Sequence, residues 1–140
     1  VKSIALSQSR GFRHSASLPW ETARQWGARV IRPLLDVNWP SDVIMNVNFP
    51  DREPDEVAGV EVTRQGFRDE NIIRAEERKD LRGDTYYWIG YVGKLSDPPE
   101  GTDLKAIYEG RISVSPLHVD LTHDRTLQSM RSELAGLWET

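Results

Sequence analysis

The first ordered pattern of apolar and polar positions lies at the amino end. Residues 3–8, SIALSQ, hold a brief apolar run that predicts a short buried strand. From residue 19 the period lengthens. Trp20, Ala23, Gly27, Val30, Ile31 and Leu34 recur at three- and four-residue steps, which predicts an amphipathic helix over 19–35. Pro19 opens it, where a missing N–H costs nothing, and Glu21 sits near the positive end of its dipole. Pro33 is expected to kink this helix or split off its last turn. Residues 43–49, VIMNVNF, return to a period of two, with Met45, Val47 and Phe49 on one face and Asn46 and Asn48 on the other. Asn is depleted from strands. The two amides are therefore expected to face a neighbouring segment or a ligand rim, hydrogen-bonding loop backbone there. Strand, helix, strand predicts a βαβ unit with parallel neighbours.

The second half reads differently. VEVTRQ (60–65) alternates as a strand, and IIRAEER (72–78) and TYYWIGY (85–91) flank KDLRGD, a hairpin signal with Gly83 in the turn. One hairpin face carries Arg74, Glu76 and Arg78, and the second arm carries Tyr86, Trp88 and Gly90. With little core-type apolar surface, the hairpin is expected to protrude. TDLKAIYEG predicts a short helix capped by Thr102 and ended at Gly110, and RISVSPL a further strand. In the last segment Leu127, Met130, Leu134 and Leu137 fall on one helical face. The organisation expected is thus a βαβ core over 1–58, a mixed β region over 59–117 with its hairpin at 72–91, and a hinge and terminal helix over 118–140.

Composition narrows the function classes. A chain of 140 residues fits one domain. At 38% hydrophobic and 29% charged it is neither a disordered nor a membrane-spanning composition, and no apolar run reaches ~18 residues. The net charge of -4 argues against a nucleic-acid duplex as partner, and Lys2, Arg10 and Arg13 are too few to build a basic face. A mononucleotide needs only one or two local donors and stays open. The absence of cysteine excludes disulfides and thiolate metal sites and permits a reducing compartment, the cytoplasm. VKSIALSQS is too short and polar for a signal peptide. A chain opening on Val1 reads as a trimmed product.

Three groups of residues offer chemistry. His118, Asp120 and His123 in LHVDLTH are metal-ligand types. Their spacing matches no standard zinc pattern, and the alternative is a hinge in which Asp120 or Thr122 caps the last helix. Asp51 opens the acidic run DREPDE directly after a parallel strand, where α/β sheets gather ligands; a solvated loop punctuated by Pro50 and Pro54 is the other reading. Ser7 and Gln8 end the first strand. If the strands are parallel, Ser7 and Asn48 share one rim, so both are substrate-rim candidates, unless they only satisfy backbone ends. A P-loop and a G-x-S-x-G elbow are both missing. Tyr86 and Trp88 could stack a base or form a docking surface.

Taken together and in order, IALSQ, NVNFP, VEVTRQG, the RGDTYYWIG hairpin, the TD that opens the next helix, and SVSPLHVDLT resemble the C-terminal half of SurE, the stationary-phase survival 5'/3'-nucleotidase family, over nearly all of the chain. The resemblance implies an α/β, Rossmann-like fold with a protruding β-hairpin and a terminal oligomerisation helix. It implies a phosphomonoester hydrolase acting on nucleoside monophosphates with a divalent metal, Mg or Mn, and assembling as a homodimer or homotetramer. The family's metal ligands (an adjacent Asp pair, a Ser and an Asn) belong to the N-terminal half and match nothing here, so no metal or catalytic residue is assigned and this chain alone is expected to be inactive. Tyr86, Trp88, Asp120, Leu127, Met130 and Leu134 are the oligomer-contact candidates. The alternative is a non-catalytic interaction module of α/β type.

Overall fold

A computed structural model of the chain describes residues 1–10, 20–67, 73–91 and 96–137. In chain order the elements are β1 (Ser3–Gln8), α1 (Trp20–Asp36), β2 (Val43–Phe49), β3 (Gly59–Val62), β4 (Ile73–Lys79), β5 (Thr85–Tyr91), α2 (Asp103–Tyr108), β6 (Arg111–His118) and α3 (Asp124–Leu134). Four strands form one sheet in the order β1-β2-β6-β3. β1 and β2 run parallel, as a βαβ unit requires. β6 lies antiparallel to β2, and β3 parallel to β6.

The helix does not split at Pro33, which lies inside α1. The ring stands in the last turn, where only the bond to the Arg29 carbonyl is lost and little helix remains to be disturbed. The sequence position expected to open the helix, Pro19, lies outside the described residues. Trp20, read as the start of the apolar stripe, is 61% exposed; burial begins two residues later. Thr22, fully buried, donates its hydroxyl to the Arg52 carbonyl, and Trp26 Nε1 donates to the Pro54 carbonyl at 2.9 Å. These two bonds tie α1 to the loop that leaves β2. At the other end α1 has no basic residue in its last turn. Lys2, just before β1, supplies the charge: its ammonium donates to the carbonyls of Leu35 and Val37 and lies 5.0 Å from the Trp39 ring centroid.

The face of the sheet under α1 is apolar. Val30, Val47, Phe49, Ile112 and Val114 make the buried cluster, with Ile4, Trp26 and Leu34 packed against it. α2 packs on β6 and touches β2. Its buried Ala106 is not part of that cluster. Thr102 caps α2 by accepting from the Lys105 N–H at 3.3 Å, and the chain leaves through Gly110 at φ +78.

β4 and β5 pair only with each other. The register sets Arg74 opposite Gly90, Glu76 opposite Trp88 and Arg78 opposite Tyr86, so these residues share one face. Gly83 turns the chain at φ +91, while the Asp80 carboxylate accepts from the N–H groups of Arg82 and Asp84. Neither arm packs extensively on another element, and Tyr87, Trp88 and Ile89 are all more than half exposed. α3 likewise leaves Met130 and Leu134 exposed, as is Leu137 in the single turn that follows it. Its cap is His123, whose Nδ1 accepts from the Thr126 N–H at 3.3 Å. Neither Asp120 nor Thr122 caps it, because the helix begins at Asp124 and both lie too far upstream. Asp120 instead accepts from the Thr122 N–H at 2.8 Å, closing a turn of its own.

Candidate functional site

The second face of the sheet answers why a strand holds two asparagines. Ser7, Asn48, Ser113 and Glu61 are register partners on four successive strands, and so form one row across the sheet. The row beside it reads Ala5, Asn46, Ser115, and the Thr63 hydroxyl, just past β3, meets Ser115 Oγ at 2.7 Å. Period-two alternation puts Val47, Phe49, Ile112 and Val114 against α1 and sends these polar groups to the other side. Ser113 and Ser115 are fully buried. Asn48 Nδ2 donates to Ser113 Oγ at 3.3 Å. The expected loop-backbone partner is thus replaced by a hydroxyl on the neighbouring strand, because β6 places a serine directly opposite Asn48.

This row ends at the carboxyl ends of the parallel pair. Ser7 is exposed and Asn48 half-buried, and they stand side by side. Gln8 turns the other way and braces the exit of β2, donating to the Pro50 carbonyl at 2.8 Å. The Ser9 N–H extends the pairing to the Phe49 carbonyl at 2.8 Å. Asp51 is 7% exposed, while Glu53, Asp55 and Glu56 of the same acidic run are exposed. The run is therefore not a uniformly solvated loop: its first carboxylate is packed at the end of β2. Ser7, Asn48 and Ser113 are uncharged and can bind through hydrogen bonds; the carboxylate of the row, Glu61, stands at its far end beside Arg111 at 3.8 Å.

The remaining candidates lie elsewhere. His118 Nδ1 is 3.8 Å from the Asp42 carboxylate, Asp120 is held by Thr122 and His123 by Thr126. Hydrogen bonds from Thr122 hold the Asp120 carboxyl below the usual range. Among the described residues no group of three or more His, Asp or Glu side chains could hold a metal ion. The divalent metal implied by the resemblance therefore does not fit the residues described, and no step is derived through it. Tyr86 and Trp88 stand on the exposed hairpin face, with the Arg78 guanidinium 5.4 Å from the Trp88 ring. Arg74 and Arg78 hydrogen-bond Glu76 and hold its carboxyl low. Leu127 is half-buried, Met130 and Leu134 exposed.

Sequence reasoning missed Glu61, Thr63, Ser113 and Ser115. Their signal was the alternation in RISVSP and VEVT. What the alternation lacks is the pairing of β2 with β6, which joins segments more than sixty residues apart.

A family model described as "Survival protein SurE" matches residues 1–71. The chain is 63% identical over 131 residues to a 5'-nucleotidase SurE of Hyphomonas neptunium, a match covering 94% of this chain and 52% of that protein. It is 53% identical over 137 residues to a 5'-nucleotidase SurE of Caulobacter vibrioides, covering 97% of this chain and 52% of that protein. The SurE protein from Aquifex aeolicus, a crystal structure, superposes with a TM-score of 0.74 at 31% identity, covering 95% of this chain and 52% of that one. The chain thus spans about half the length of the relatives it matches. With the α/β sheet, the ordered sequence blocks and these matches in agreement, the chain belongs to the SurE family.

Proposed function

We propose that this chain is the scaffold half of a SurE-type 5'/3'-nucleotidase, a metal-dependent hydrolase of nucleoside monophosphates. Membership of the family carries the reading, and the open polar rim at the carboxyl ends of β1 and β2 agrees with it, since ligands of α/β sheets gather there. Ser7 and Asn48 contribute to substrate contact. The groups that hold Mg or Mn belong to polypeptide corresponding to the other half of the relatives. The test is phosphate release from nucleoside monophosphates with Mn²⁺ or Mg²⁺, comparing this chain with a form carrying that other half. Activity is expected only in the longer form. Hydrolysis of AMP by residues 1–140 alone overturns the division of labour.

A second role rests on the exposed apolar positions of the hairpin and of α3. An isolated two-stranded hairpin is marginal in water, and a helix with a bare apolar stripe gains stability when that stripe is covered. We assign Tyr86, Trp88, Asp120, Leu127, Met130 and Leu134 to contacts between copies in a homodimer or homotetramer. Met130→Asp combined with Leu134→Asp should shift the protein to monomers in light scattering at micromolar concentration. An unchanged mass removes α3 from the interface.

A further inference from the structure

The rim reads chemically as a sugar subsite. Ser113 is fully buried and lies in register with Asn48 on one side, while Ser7 lies in register on the other. Asn48 gives one Nδ2 hydrogen to Ser113 Oγ, which turns its carbonyl Oδ1 away from Ser113, where it can accept. Next to it stands the exposed Ser7 hydroxyl, which donates or accepts. A phosphate is held most strongly by cationic donors, and neither Ser7 nor Asn48 supplies a charge. A sugar hydroxyl suits the pair, since it donates to Asn48 Oδ1 and exchanges a hydrogen bond with Ser7.

We propose that Ser7 and Asn48 bind the ribose hydroxyls of the nucleotide, with Ser113 as the positioning residue that sets the orientation of the Asn48 amide. The proposal rests on the nucleotidase reading and adds which part of the substrate this half of the protein recognises. A site that hydrogen-bonds a substrate hydroxyl discriminates against an analogue lacking it, and one such bond corresponds to roughly tenfold.

The experiment uses the protein carrying both halves. It measures kcat/KM for 5'-AMP, for its 2'-deoxy and 3'-deoxy forms, for 5'-UMP and for p-nitrophenyl phosphate. The wild type is expected to prefer AMP over at least one deoxy form by roughly tenfold. Asn48→Leu should bring that ratio close to one and lower the ratio of AMP to p-nitrophenyl phosphate about tenfold. Ser113→Ala, which does not touch substrate, should reduce the ribose preference in the same direction, which a purely structural loss would not do. Equal losses on AMP and p-nitrophenyl phosphate overturn the subsite, as does a change confined to the AMP-to-UMP ratio, which would mark a base contact. Hydrolysis by the wild type without ribose preference overturns the subsite and leaves the nucleotidase standing. No hydrolysis of any nucleoside monophosphate overturns both.

Discussion

Phe49→Ala is expected to lower the unfolding free energy by about 3–5 kcal/mol. Phe49 is 1% exposed and sits in the cluster that joins α1 to β2 and β6. Truncation removes the transfer free energy of the ring and leaves a cavity that two strands and a helix cannot collapse to fill, because neighbouring Val47 and Ile112 are held by sheet pairing to Val114 and Val60. Urea denaturation followed by circular dichroism measures it, and the midpoint should fall without a change in slope. Val62→Ala is the control. Val62 is 77% exposed, so its cost should stay near 0.5 kcal/mol. A loss below about 1 kcal/mol at Phe49 would mean that the face beneath α1 is not the core.

Thr63→Val is expected to cost about 1–3 kcal/mol although the two side chains have nearly the same shape. Thr63 and Ser115 share a hydroxyl–hydroxyl bond of 2.7 Å at 5% and 0% exposure. Removing one hydroxyl leaves the other buried with its partner gone, and the desolvation of that group is then uncompensated. The double variant Thr63→Val, Ser115→Ala removes both and should recover most of the loss. The sign of the coupling is the content of the prediction: additive costs from the same denaturation assay would show that the two hydroxyls do not depend on each other.

These two sites also mark how far the chain can be read without its fold. Phe49 was legible. It alternates with Val47 and Met45 in a short run, and period two places all three on one face whatever lies beyond. The Thr63–Ser115 pair was not legible, because nothing local says that the segment after β3 meets β6. The same division runs through the candidate site. Ser7 and Asn48 could be paired from the βαβ pattern, since a crossover helix makes its strands parallel neighbours. Ser113, which sets the Asn48 amide, could not, because it arrives from the opposite side on an antiparallel strand. The cap of α3 shows a smaller version: Asp120 and Thr122 have the better side chains for capping, but the starting turn falls at Asp124 and hands the role to His123.

By itself the order of residues determined the local periods, and with them the helices, the strands, the hairpin and which side chains share a face. Those follow from backbone geometry within a few residues, which tertiary contacts rarely reverse for a strongly patterned segment. Only the tertiary structure decided what each face meets. Sheet order β1-β2-β6-β3 brought two serine-bearing positions of β6 against two asparagines and turned an anomalous strand into one side of a buried polar row. Pairing over such separations is set by burial of the whole apolar face, a property that no window of the sequence contains.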